Sequence, residues 1–151
     1  LDRTTVDIPL ALEELRGRLS KTDKDRVSFD IEDDFPVISA DAQKIQQVLE
    51  NLVSNALKYS EADKPVRVIL QTKGRRVHLE VVDQGMGIRP QDRKHIFEKF
   101  FRSEDARLAG KEGTGLGLSI AQGLARGMGG DLKLSSSGEG KTIFNLRMKE
   151  F

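Results

Sequence analysis

One long amphipathic run constrains this chain more than any other feature. From Asp41 to Tyr59 the apolar residues Ile45, Val48, Leu49, Leu52, Val53, Ala56 and Leu57 keep the i, i+3, i+4, i+7 spacing without a break. Ser39 or Asp41 can cap the start of this helix. At about 100° per residue the apolar stripe centres on Leu52 and Ala56, and Asn51, Asn55 and Lys58 fall together on one flank. Asparagine is a mediocre helix former, so a pair of them in mid-helix carries a small cost with no capping benefit. Their amide oxygens are neutral hard ligands that suit Mg²⁺, and Lys58 suits phosphate charge. From this helix alone a solvated edge explains them as well.

The flanking segments define what the helix packs on. Ile8, Leu12, Leu15 and Leu19 predict a first helix over Ile8–Leu19, and Val27, Phe29 and Ile31 alternate as a strand closed by Phe35-Pro36. Val66–Thr72 and Arg76–Val82 alternate as strands about a Lys73-Gly74-Arg75 hairpin turn. From Asp83 to Gly115 the pattern breaks into loops, with one short helical piece near Asp92–Phe100. Leu116–Met128 reads as a helix stopped by Gly129-Gly130, and Leu132–Ser136 and Thr142–Met148 as two last strands. The order implies an α/β (α+β) two-layer arrangement: a mixed, mainly antiparallel five-stranded sheet with about three helices on one face.

The 151 residues suit one compact domain, taken here as 1–151, and the start at Leu1 rather than Met suggests a piece of a longer protein. Basic and acidic residues number 25 and 24, a net charge of +1, which gives no footprint for nucleic acid or for direct membrane contact. Cysteine is absent, so disulfides, thiolate metal sites and a Cys nucleophile are excluded.

Three loop segments carry candidate chemistry. Asp83-Gln84-Gly85-Met86-Gly87-Ile88 ends a strand on a carboxylate and follows it with two glycines that let the backbone lie close to a ligand. Such a carboxylate can accept from an exocyclic amine such as adenine N6; an ordinary Asp-Gly turn is the simpler reading. Gly113-Thr114-Gly115-Leu116-Gly117-Leu118 opens a helix, where backbone N–H groups and the helix dipole favour an anion. Its spacing is neither the Walker A pattern nor G-x-G-x-x-G. Between them, Ile96-Phe97-Glu98-Lys99-Phe100-Phe101-Arg102 is mostly packing, with Arg102 able to reach a phosphate. Ser103–Glu112 is polar and reads as a lid.

Taken in order, these segments resemble the catalytic domain of sensor histidine kinases, in the superfamily that includes DNA gyrase and MutL. QVLENLVSNALKYS (Gln47–Ser60) is similar to the family's Asn box, DQGMGI (Asp83–Ile88) to its first glycine box and IFEKFFR (Ile96–Arg102) to its Phe box. GTGLGLSIA (Gly113–Ala121) is similar to its second glycine box and GEGKTIFNL (Gly138–Leu146) to its closing strand. The resemblance implies the Bergerat fold, ATP and Mg²⁺ as cofactors, and transfer of the γ-phosphate to a histidine. It implies Asn55 as the metal ligand, with Asn51 and Lys58 near metal and phosphates. Tyr59 would line or stack on adenine, Asp83 would read adenine N6, and Gly85, Gly87 and Ile88 would form the adenine loop. Arg102 would sit near phosphate, Gly115, Leu116, Gly117 and Leu118 at the lid hinge, and Thr142 behind the base. Where hydrolytic members of the superfamily carry a Glu general base, this chain has Asn51, with Glu50 about 100° round the helix.

The resemblance also implies partners: a dimerisation and phosphoacceptor domain on the same or a partner chain, and a response regulator downstream. Neither His78 nor His95 has the context of an acceptor, so that domain is expected to lie outside this sequence, with the helix near Ile8–Leu19 beginning the catalytic domain. A cytoplasmic location is expected for the domain, with membrane anchoring of the parent protein left open. Rival readings are a Ser/Thr kinase of the anti-sigma type and a non-catalytic nucleotide-binding module. A dinucleotide oxidoreductase is remote, because the glycine spacing is wrong and no βαβ repeat is present.

Overall fold

A computed structural model describes residues 1–103, 115–138 and 140–150. Its elements in chain order are β1 (Arg3–Val6), α1 (Ile8–Gly17), α2 (Lys21–Arg26), β2 (Val27–Ile31), β3 (Ile38–Asp41), α3 (Ala42–Tyr59), β4 (Val66–Lys73), β5 (Arg76–Asp83), α4 (Gly117–Gly127), β6 (Asp131–Gly138) and β7 (Lys141–Lys149). Five strands form one sheet in the order β2-β4-β5-β7-β6. Only β2 and β4 run parallel; the other neighbours are antiparallel. The expected mixed, mainly antiparallel sheet is therefore present.

The core lies between one face of this sheet and the helices. Leu70, Leu79, Leu146 and Leu132 are register partners across β4, β5, β7 and β6, and all are buried. Against these rows α3 lays Ile45, Val48, Leu49, Leu52, Val53 and Ala56, the stripe legible in its periodicity. Helix α1 adds Ile8, Leu12 and Leu15, and α4 adds Ala121 and Ala125 beside α3. No helix among the described residues is long and apolar enough to cross a membrane.

Several local features depart from the sequence-based expectation. Helix α2 has no buried residue, so it leaves no periodic trace. It is held instead through Arg26, whose guanidinium donates to the carbonyls of Leu57 (3.3 Å), Glu61 (3.1 Å) and Lys64 (3.3 Å) around the C-terminus of α3. A cation there is favoured by the helix dipole. Strands β1 and β3 form a separate two-stranded sheet, each too short to alternate visibly. The short helix expected near Asp92–Phe100 is replaced by successive tight turns, with Asp92 N, His95 N and Glu98 N donating to the carbonyls three residues back. Ile96 and Phe101 line the cleft described below, as does Phe144, against which Phe97 stands edge-on.

Asp41, rather than Ser39, caps α3. Its Oδ1 accepts from Gln43 N (3.1 Å) and Lys44 N (3.2 Å), and Oδ2 accepts from Asp2 N (3.0 Å). The bond from Asp2 N is the foremost cause holding this carboxyl below the usual carboxylate range. A depressed folded pKa stabilises the fold above the unfolded value and loses that contribution as pH falls through the folded one. Asp41→Ala should therefore lower the melting temperature at pH 7, and the gap from wild type should narrow as the buffer is acidified. A gap independent of pH would refute the assignment.

Candidate active site

The C-terminal half of α3 meets the loop after β5 in a backbone seam. Ser60, buried, donates through Oγ to Gln84 O (3.2 Å) and accepts from Gln84 N (3.1 Å); Glu61 N donates to Gln84 O (3.0 Å), and Ser60 bridges Gly85. Contact is so close that a Cβ on Gly85 would lie 2.0 Å from Tyr59 O. The seam pins Asp83, the last residue of β5, beside the Tyr59 end of the helix. Asn51 lies about 12 Å away along the helix axis at 1.5 Å per residue.

Beside this seam opens a cleft of about 240 Å³. Helix α3 contributes Asn51, Ser54, Asn55, Lys58 and Tyr59; the first loop contributes Asp83, Met86, Gly87 and Ile88. Ile96, Phe101, Arg102 and Ser103 form another wall, Gly115, Gly117 and Leu118 bring the N-terminal turn of α4, and Thr142 and Phe144 lie on β7. The flank of α3 singled out in the sequence thus faces a cavity. The N-cap position of α4, where that turn meets the cleft, is held by Leu116, whose side chain carries no oxygen. Gly115, at φ +76°, packs on the backbone of Phe100 and Phe101, with Phe100 N donating to Gly115 O (2.9 Å). This fixes the start of α4 against the Phe97–Arg102 segment.

Of the residues named from the sequence, Asn51, Asn55, Lys58, Tyr59, Asp83, Gly87, Ile88, Arg102, Gly115, Gly117, Leu118 and Thr142 line the cleft. Gly85 and Leu116 stand behind the lining: Gly85 belongs to the seam, and Leu116 is the N-cap position of α4. The segment read as a lid lies outside the described residues apart from Ser103. Sequence reasoning missed Ser54, Met86, Ile96, Phe101 and Phe144 as lining residues, and Ser103, read as the start of the lid, also lines the cleft. Ser54 was within reach, since it stands one turn from Asn51 and from Lys58 on the same flank. It also missed Ser60, whose importance comes only from pairing with a loop 24 positions away.

The cleft's electrostatics are asymmetric. Asp83 is the only carboxylate among the described lining residues. It is 4% exposed, and burial pushes its pKa up to about 6, against a lesser opposing pull from the Gly85 N–H. Glu50, adjacent to Asn51 in sequence, points elsewhere and pairs with Arg18 at 2.6 Å. Asn51 lines the cleft, and its Nδ2 is buried and makes no hydrogen bond. Among the described residues no cluster of three His, Asp or Glu side chains could hold a metal. The donor set fits a hard cation only if a ligand's own oxygens and water complete its shell around an Asn amide, which is the way Mg²⁺ is held with phosphates. His78 pairs with Asn145 and His95 with Glu98, and neither lines the cleft.

A two-layer sandwich with a cleft between one long helix and two glycine loops defines the Bergerat class of ATP-binding domains. A family model for the "Histidine kinase-, DNA gyrase B-, and HSP90-like ATPase" matches residues 40–150, and the chain belongs to this family. Among curated relatives it is 34% identical over 144 residues to the sensor histidine kinase YkoH of Bacillus subtilis, covering 95% of this chain and 31% of that one. It is 37% identical over 139 residues to the sensor histidine kinase WalK of the same organism, covering 88% and 23% respectively. The chain thus spans a third or less of the length of these relatives. Among solved structures, full-length ShkA in complex with AMPPNP superposes with a TM-score of 0.84 at 26% identity, covering all of this chain and 32% of that one. The catalytic domain of histidine kinase ThkA shares the fold, with a TM-score of 0.84 at 23% identity and 99% coverage of each chain.

Proposed function

We propose that this chain binds Mg²⁺-ATP in the cleft and donates the γ-phosphate to a histidine on a separate dimerisation and phosphoacceptor domain, on the same or a partner chain. A response regulator then receives it, and the reaction takes place in the cytoplasm. The observation that carries this reading is the absence of a base at the phosphate end of the described cleft. Asn51 stands there with its amide buried and unpaired, Glu50 is tied to Arg18, and Asp83 lies at the opposite end. A site of this kind can position and neutralise a triphosphate, and among its described residues no carboxylate or imidazole stands at the phosphate end to activate water.

In this reading Asp83 accepts from adenine N6, Tyr59, Gly87, Ile88 and Thr142 enclose the base, and Gly85 fixes the loop from behind. Asn55 would offer its amide oxygen to Mg²⁺, which would supply charge neutralisation to the phosphates. Asn51 Nδ2 donates to a phosphate oxygen, Lys58 and Arg102 add positive charge, and Gly115, Leu116, Gly117 and Leu118 offer backbone N–H groups at the start of α4. The P–O bond to ADP breaks as a P–N bond to the acceptor imidazole forms, and the imidazole proton leaves to a base on the acceptor domain.

Incubation with radiolabelled ATP and Mg²⁺ tests this directly. The isolated chain should bind nucleotide only with Mg²⁺ and acquire no phosphate; adding a helical acceptor domain should place acid-labile phosphate on that domain's histidine. Acid-labile phosphate on His78 or His95 of the isolated chain would overturn the reading, as would rapid release of inorganic phosphate without an acceptor.

A further inference from the structure

The base-binding loop is held from outside the cleft by a side chain that never reaches it. Arg93 lies on the turns after the loop, exposed, and is not a lining residue. Its Nη2 donates to Ser137 O at 2.6 Å and its Nε to Ile88 O at 3.3 Å. Ser137 completes the link: its Oγ accepts from Ile88 N at 2.8 Å and lies 3.1 Å from Thr142 Oγ1. Both backbone polar groups of Ile88 are therefore engaged, one by Ser137 and one by Arg93, and Arg93 also holds Ser137. Ile88 and Thr142 are cleft-lining residues. The Ser60 seam fixes the loop where it begins, at Gln84, and the Arg93–Ser137 pair fixes it where it ends.

We propose that Arg93 is a positioning residue that sets the base-binding rim of the cleft through Ile88 and Ser137, an inference that rests on the nucleotide-binding reading above. The guanidinium suits this because a planar fork can reach two carbonyls at once, whereas an ammonium is a single point donor. Both acceptors are neutral carbonyls at a surface. Their loss leaves them open to water, so the fold tolerates it while the loop loses its fixed end. The link joins the first glycine loop and the turns after it to the end of β6, more than forty residues on.

The test compares wild type, Arg93→Ala, Arg93→Lys and Ser137→Ala. Calorimetry gives the affinity for a non-hydrolysable ATP analogue with Mg²⁺, hydrogen exchange reports the peptide spanning residues 83–89, and thermal melting reports the fold. Arg93→Ala should weaken analogue binding about tenfold, the effect of about 1.4 kcal/mol. It should speed exchange in that peptide alone and leave the melting temperature within a few degrees of wild type. Arg93→Lys should fall between the two, and Ser137→Ala should reproduce the alanine effect. Wild-type affinity in Arg93→Ala, or exchange that quickens throughout with a matching loss of melting temperature, overturns the proposal. Failure of the wild type itself to bind the analogue removes the nucleotide reading, and this inference with it.

Discussion

Asp83→Asn should abolish most nucleotide affinity while making the unliganded fold more stable at neutral pH. Burial holds the Asp83 carboxyl at about 6, above the usual value of 3.8. A raised folded pKa means that the folded chain retains a proton which the unfolded chain has lost. The associated stability is complete below about pH 4 and disappears as pH rises through about 6, so at pH 7 the fold carries a buried charge. Asparagine removes that charge and can still accept from Gly85 N. Stability at pH 7 should rise by up to about 2 kcal/mol, and the decline between pH 4 and 6 should flatten. Nucleotide binding should move the other way. An amine bonded to a carboxylate gains about 1.5–3 kcal/mol, a neutral pair about 0.5–1.5, so the loss should be about tenfold or more. Wild-type affinity should also strengthen as pH rises through about 6, while the variant's stays level. Equal affinities at pH 7.5, measured by calorimetry, would remove Asp83 from the site.

Gly85→Ala should damage both fold and binding. Its Cβ would lie 2.0 Å from Tyr59 O and 2.8 Å from Tyr59 C, both backbone atoms that no rotamer change can move. Relief requires α3 and the loop to part, which breaks the Ser60–Gln84 bonds and shifts Asp83 relative to Asn55. Overpacking costs about 1–3 kcal/mol in an interior, and loss of the buried seam bonds adds to it. The variant should melt many degrees below wild type, and its folded fraction should bind the ATP analogue poorly. Ser60→Ala should have a smaller effect, since it removes hydrogen bonds without forcing a clash. If Gly85→Ala melts and binds like wild type, the seam does not set the geometry of the cleft.

What could be read from the sequence was what repeats or clusters locally. Helix α3, the alternating strands β4, β5 and β7, and the apolar face of α4 each bury one face, and burial leaves a period. The cleft's α3 flank followed from the same period, since Asn51, Asn55 and Lys58 share an edge. Elements that bury nothing or are too short to repeat left no trace: α2 is held by Arg26 on carbonyls, and β1 and β3, four residues each, bury only Val6, Ile38, Ala40 and Asp41. Site residues contributed by packing, such as Ile96, Phe101 and Phe144, looked like core. Ser60, Ser137 and Arg93 act on backbone groups remote in sequence, which no local pattern encodes.

The lone parallel pairing in the sheet has a consequence for how the chain reaches this state. β4 with β5 and β6 with β7 are hairpins that close over short loops, whereas β2 can join β4 only after the intervening chain, α3 included, has folded back over the sheet. Local pairings close early and long crossovers late, because loop entropy must be overcome before the contacts form. The helix that carries Asn51 to Tyr59 is thereby tied to a late step of assembly, as is the pairing of β5 with β7, which spans more chain still. A partly folded chain would hold its hairpins while lacking one wall of the cleft, so the cleft would be completed late on refolding and lost early under denaturant.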